Sequence, residues 1–229
     1  MKWNLLYFTF FLLSVALLGC QSKQVNASRP MTYLALGDSY TIGESVVDSL
    51  RWPNQLVKAL NQTQFQFEPA TIIAKTGWTT DELAAAMDKA ALLSRYDYVS
   101  LLIGVNNQYR GRSVANFEEE FTQLLERAID LSRGKNKNVM VVSIPDWGVM
   151  PFAQGRDRAK IAQEIDAFNE AIAQICLNHQ VAFFDITPIS REAASTPALV
   201  ASDGLHPSGA MYKRWVNHVL PFFNPSTNE

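Results

Sequence analysis

Two short segments far apart in the chain hold the residue types of acyl-transfer chemistry. Gly37-Asp38-Ser39-Tyr40 follows an apolar run near the start, and Asp203-Gly204-Leu205-His206 lies close to the other end. A serine hydroxyl is a weak nucleophile until an imidazole takes its proton, and the imidazole works best when a carboxylate fixes its tautomer. Asp203 and His206 are spaced to share one turn, with the carboxylate at Nδ1 and Nε2 pointing outward. Ser39, His206 and Asp203 are therefore the candidate nucleophile, base and orienting acid. Taken singly, each has a plainer reading: Asp38 or Ser39 as a helix N-cap, and the Asp203–His206 segment as a polar turn capped by Ser208. The chain has three histidines, and the other two, His179 and His218, fall in helical patterns with no acidic neighbour at suitable spacing.

Acyl transfer also needs donors where the carbonyl oxygen becomes negative. Gly104-Val105-Asn106-Asn107 offers a side-chain amide at Asn106, and Thr76-Gly77-Trp78-Thr79 offers a bare backbone N–H at Gly77. Read singly, Gly77 and Asn106 are ordinary turn residues.

The surrounding pattern says how such groups could meet. Short, near-continuously apolar runs at Thr32–Leu36, Ala70–Ala74, Tyr98–Ile103, Asn138–Ile144 and Val181–Asp185 read as strands covered on both faces. Helices are expected over Trp52–Asn61, over Thr80–Leu92 with its acidic first turn, and from Ser208 to about Leu220. Two more follow from the apolar stripes Phe117, Phe121, Leu124, Ala128, Leu131 and Ile161, Ile165, Phe168, Ile172, Ile175. Strand alternating with helix predicts an α/β domain, a doubly wound parallel sheet of about five strands. Ligands bind such sheets outside the carboxyl ends of the strands, and every candidate residue above follows a strand.

The four segments, in their order along the chain (37–40, Gly77, 104–107 and 203–206), resemble the sequence blocks of the SGNH, or GDSL, hydrolase superfamily, over essentially all of the chain after residue 30. The resemblance implies a flavodoxin-like three-layer α/β/α sandwich and a metal-free, cofactor-free serine carboxylic ester hydrolase. It implies Ser39 as nucleophile, His206 as general base and acid, and Asp203 orienting His206. The oxyanion hole would be the Ser39 and Gly77 N–H groups with the Asn106 side chain. Two positions depart from the usual blocks: Tyr40 stands where Leu is usual, and Asn107 where Asp is usual. Neither departure removes a catalytic group. Ser39 lacks the Gly-x-Ser-x-Gly elbow, which counts against the α/β-hydrolase fold.

Substrate is less legible. Trp78, Trp147 and Tyr109 are candidate pocket residues, and the loop from Pro145 to Phe152 is expected to overhang the site. These favour small acyl or aryl esters or lysophospholipid-like lipids. The rings could instead stack on a sugar, as in a carbohydrate O-acetylesterase or O-acyltransferase, and Arg110 and Arg112 could hold an anionic group. A non-catalytic ligand-binding lipoprotein is the rival from another class.

The 229 residues carry a formal charge of −2 and are 48% hydrophobic, which suits one compact domain and argues against nucleic acid as the main partner. Lys2 and the apolar stretch Leu5–Leu18 read as an export signal, and Leu17-Leu18-Gly19-Cys20 resembles a bacterial lipobox. The expected organisation is a lipoprotein signal peptide over 1–19, a polar tether over 20–29 from lipidated Cys20, and the hydrolase domain over 30–229. Gln21 favours an outer-membrane anchor on the periplasmic face if the host has one. Cys176, the only other cysteine, is expected to be a packed, inert thiol. Nothing in the sequence sets the oligomeric state.

Overall fold

The computed structural model describes residues 29–223. The expected signal peptide, Cys20 and the tether as far as residue 28 lie outside them. The five apolar runs form five strands: β1 (Tyr33–Gly37), β2 (Thr71–Ala74), β3 (Tyr98–Leu102), β4 (Val139–Val142) and β5 (Ala182–Phe184). They make one sheet in the order β2-β1-β3-β4-β5, with every neighbouring pair parallel. Tyr33 to Gly37 are all buried, as a central strand covered on both faces requires, while the edge strands β2 and β5 are half-buried.

In chain order the helices are α1 (Ser39–Ile42), α2 (Trp52–Leu60), α3 (Thr80–Lys89), α4 (Val105–Tyr109), α5 (Val114–Leu131), α6 (Arg158–Asn178), α7 (Thr187–Arg191) and α8 (Gly209–Val219). Helix α2 packs on α8, and α5 packs between α3 and α6, so the sheet lies between two helical layers. The stripe of α5 buries Phe117, Phe121, Leu124 and Ala128, but Leu131 at its end is only half-buried. All five apolar residues of the α6 stripe are buried. Helix α3 is capped by Thr79, whose N–H donates to Glu82 Oε2 at 2.9 Å in a capping box. It ends at Lys89, short of the expected Leu92. Helix α1 begins where a cap at Asp38 or Ser39 would start it, whereas α4 and α7 were not expected, since five residues do not complete a legible period. Cys176 is buried against the core, and burial pushes its thiol up to about 12. Among the described residues no helix is long and apolar enough to cross a membrane.

The passage from β1 to α1 depends on Gly37. A Cβ there would fall 2.3 Å from Thr41 Oγ1 and 2.4 Å from the Leu102 carbonyl oxygen. Glycine therefore lets β1 lie tightly against the end of β3 and turn at once into α1. Gly37→Ala should destabilise the protein by about 1–3 kcal/mol, read as a lower urea midpoint. An unchanged midpoint would show that the neighbouring backbone yields freely.

Candidate active site

The nucleophile candidate and its cap are adjacent. Asp38 is the N-cap of α1, its Oδ1 accepting the Tyr40 N–H at 3.0 Å, and Ser39 is the first helical residue. Cap and candidate nucleophile are therefore neighbours, not alternatives. Tyr40 is buried, with its ring edge-on to His206 at 5.6 Å and tilted against Trp215 at 6.4 Å. The aromatic residue where the blocks usually have Leu thus packs His206 against α8.

Asp203 and His206 meet within one turn, Asp203 Oδ2 lying 2.6 Å from His206 Nδ1. Asp203 Oδ1 accepts the backbone N–H groups of Leu205 and His206, each at 2.9 Å. A fourth donor was not expected: the Ser45 hydroxyl donates to Asp203 Oδ2 at 2.6 Å. Ser45 follows α1 with a positive φ of 63°, and it lies 158 residues from Asp203 in sequence, so no local pattern announces it. Partial burial works to raise the Asp203 pKa, but the bonds from Ser45, His206 and the two amides outweigh it and hold the carboxyl well below the usual range. Asp38 shows the opposite balance. Burial pushes it up to about 7 against the backbone donors at Oδ1, and Oδ2 has no partner among the described residues.

Ser39, Gly77, Asn106 and His206 line one cavity of about 210 Å³, together with Tyr109, Trp147, Phe152 and Leu205. The N–H groups of Ser39 and Gly77 have no acceptor among the described residues. Asn106 donates through Nδ2 to the Trp78 carbonyl at 2.9 Å, which orients the amide and leaves its second N–H unused. Gly104, before α4, has φ +128°, and a Cβ there would strike the Phe117 ring at 2.6 Å, so glycine is needed where β3 delivers Asn106. Asn107 is fully buried, pairing with the Thr80 N–H at 3.1 Å and the Thr80 hydroxyl at 2.6 Å. It latches α4 to the start of α3 and does not face the cavity. Ser39 Oγ and His206 Nε2 make no hydrogen bond with each other or another group among the described residues. Such bonds commonly tighten only when substrate binds.

The pocket residues divide. Tyr109 and Trp147 line the cavity as expected, and so does Phe152. Trp147 is held by its Nε1 donating to Gln108 Oε1 at 2.8 Å, while Met150 turns into the core. Trp78 does not line the cavity; its ring packs against the core and only its carbonyl reaches the site. Arg110 and Arg112, expected as possible anion holders, are taken by carboxylates. Arg110 pairs with Glu82 and donates to the Gly77 carbonyl at 2.7 Å, and Arg112 pairs with Asp81 and Glu120. No cluster of metal-ligating side chains occurs among the described residues.

A family model settles the kinship: residues 35–214 match the GDSL-like lipase/acylhydrolase family. The chain belongs to that family. No curated protein matches the sequence. Solved structures agree on the fold. One named TesA covers 85% of this chain and 99% of its own, with 18% identity and TM-score 0.66. The psychrotrophic esterase EstA from Pseudoalteromonas sp. covers 87% and 100%, with 16% identity and TM-score 0.63. Axe2, an acetylxylan esterase from Geobacillus stearothermophilus, covers 85% and 94%, with 18% identity and TM-score 0.63.

Two measurements test the carboxylates. Asp38, raised on folding, favours the folded state fully only below its unfolded pKa near ~3.9. That contribution is lost as the pH rises through about 7. Asp38→Asn should therefore shrink the stability difference between pH 5 and pH 8 in urea titrations, and an unaltered difference would show that Asp38 does not titrate there. Asp203, lowered on folding, contributes above about 4 and loses that contribution as the pH falls further. Ser45→Ala removes one of its donors, so acid unfolding should begin at higher pH, with Ser45→Thr restoring it in part.

Proposed function

We propose that the chain hydrolyses carboxylic esters through a Ser39-His206-Asp203 triad and an acyl-enzyme. The observation that carries this reading is the Asp203–His206 pair opening into the same cavity as Ser39, beside two backbone N–H groups with no acceptor among the described residues. Ser39 Oγ attacks the ester carbonyl carbon while His206 Nε2 takes the hydroxyl proton. The negative oxygen of the tetrahedral intermediate accepts from the Ser39 and Gly77 N–H groups and from Asn106 Nδ2. Collapse breaks the bond to the alcohol, which leaves with the proton from His206. A water molecule, deprotonated by His206, then attacks the acyl-enzyme; the acid departs and Ser39 recovers its proton. Asp203 keeps the Nδ1 proton in place and balances the imidazolium throughout.

The cavity is smaller than the ~300–1,000 Å³ common for drug-sized ligands, which favours a short acyl or aryl group over a long chain. Phe152 and Tyr109, 44% and 48% exposed at the cavity mouth, favour a second reading in which rings stack on an acetylated sugar. The likeness to an acetylxylan esterase is consistent with it. We further propose that Cys20 carries the lipid that tethers the domain to the envelope, outer-membrane periplasmic face included where the host has one; Cys20→Ser should then shift the protein from membrane to soluble fractions.

The first test is hydrolysis of 4-nitrophenyl esters from acetate to palmitate, with Ser39→Ala alongside. Turnover should peak at short chains and fall at least ~10³-fold in the variant. A fully active Ser39→Ala protein overturns the mechanism.

A further inference from the structure

Arg156 stands apart from the other arginines around the site. Its guanidinium carbon lies 5.3 Å from the Tyr109 ring centroid, 5.4 Å from Trp147 and 5.5 Å from Phe152. Those three rings line the cavity that holds Ser39 and His206. Arg156 does not itself line that cavity; it lines an adjoining recess that shares Tyr109 and Trp147 with it. One N–H donates to the Tyr109 hydroxyl at 3.1 Å, and the side chain is otherwise exposed.

No carboxylate pairs with Arg156 among the described residues, in contrast to Arg110 and Arg112. The nearest acids along the adjoining recess are already engaged. Asp157 accepts the Lys160 N–H at 3.0 Å, and Glu164 accepts from Gln108 Nε2 at 2.7 Å and lies 3.7 Å from Lys160 Nζ. Aromatic faces hold a guanidinium in a defined plane without neutralising it, so its fork stays available for a planar anion.

We propose that Arg156 is a specificity-determining residue that binds an anionic group, a carboxylate in the first instance, carried by the ester substrate. The proposal deepens the esterase reading and rests on it. Substrate would lie with its carbonyl at Ser39 and its anion at the rim formed by Tyr109, Trp147 and Phe152. The anion can belong to the acyl or to the alcohol portion, because both portions of an ester held at Ser39 extend from its carbonyl into the cavity that the three rings line.

Paired esters, read as the change in their ratio between the wild-type protein and the variant so that intrinsic reactivity cancels, separate the possibilities. Mono-4-nitrophenyl glutarate against 4-nitrophenyl butyrate places the charge on the acyl side, and 4-acetoxybenzoate against phenyl acetate places it on the alcohol side. For at least one pair, the anionic-to-neutral ratio of kcat/KM should fall roughly tenfold or more in Arg156→Gln, chiefly through KM. Arg156→Glu should lower it further, and Arg156→Lys should recover only part of it. A role confined to clamping the loop would lower both members of each pair equally, and unchanged ratios overturn the proposal. Calorimetric titration of Ser39→Ala with the same esters, with and without Arg156→Gln, reads the subsite independently of turnover. Equal affinities for the anionic ester overturn the subsite, whereas failure of the wild-type protein to turn over any ester overturns the esterase reading instead.

Discussion

Parallel strands cannot be joined by tight hairpins, and that constraint organises the whole molecule. Every chain segment must cross over through a helix and re-enter the sheet from the same end. The carboxyl ends of all five strands therefore share one edge, and the loops that leave them are pressed together. The order β2-β1-β3-β4-β5 reverses direction between β1 and β3. Ser39 leaves β1 and Asn106 leaves β3, on the two sides of that reversal, where diverging crossovers open a crevice. Gly77 after β2 and the Asp203–His206 turn after β5 close on the same crevice.

Within it, two carboxylates are driven apart by what surrounds them. Asp203 receives four donors and stays ionised, which suits a group that must hold an imidazole in one tautomer and offset its charge. Asp38, fully buried with one oxygen unmatched, is pushed the other way while capping the short helix that presents Ser39. Neither difference is visible in residue type. Tyr40 joins the two halves: its ring supports His206 on one side and contacts Trp215 of α8 on the other, so the position of the imidazole is tied to a packed helical layer.

The candidate catalytic edge and the proposed recognition rim are built differently. Ser39 and Asn106 sit on short helices that follow directly from the strands. The rim is a loop, residues 145–156, held by Trp147 Nε1 on Gln108 and by Arg156 against three rings. Loops of this kind can change with substrate while the sheet beneath them stays the same, in keeping with structures that share this fold at below one-fifth identity.

The sequence by itself determined the strands, the long helices and the residues of the four motif segments, because each of these is written in local periodicity or in short contiguous patterns. It also carried enough of those patterns to place the chain in its family over residues 35–214. Only the tertiary structure decided which side chains meet across the crevice. It put Ser45 on Asp203, packed Trp78 against the core, consumed Arg110 and Arg112 in ion pairs and left Arg156 at the aromatic rim. Those outcomes depend on the paths of loops between distant strands and on which charges find partners first, and no local period of two or 3.6 residues encodes either.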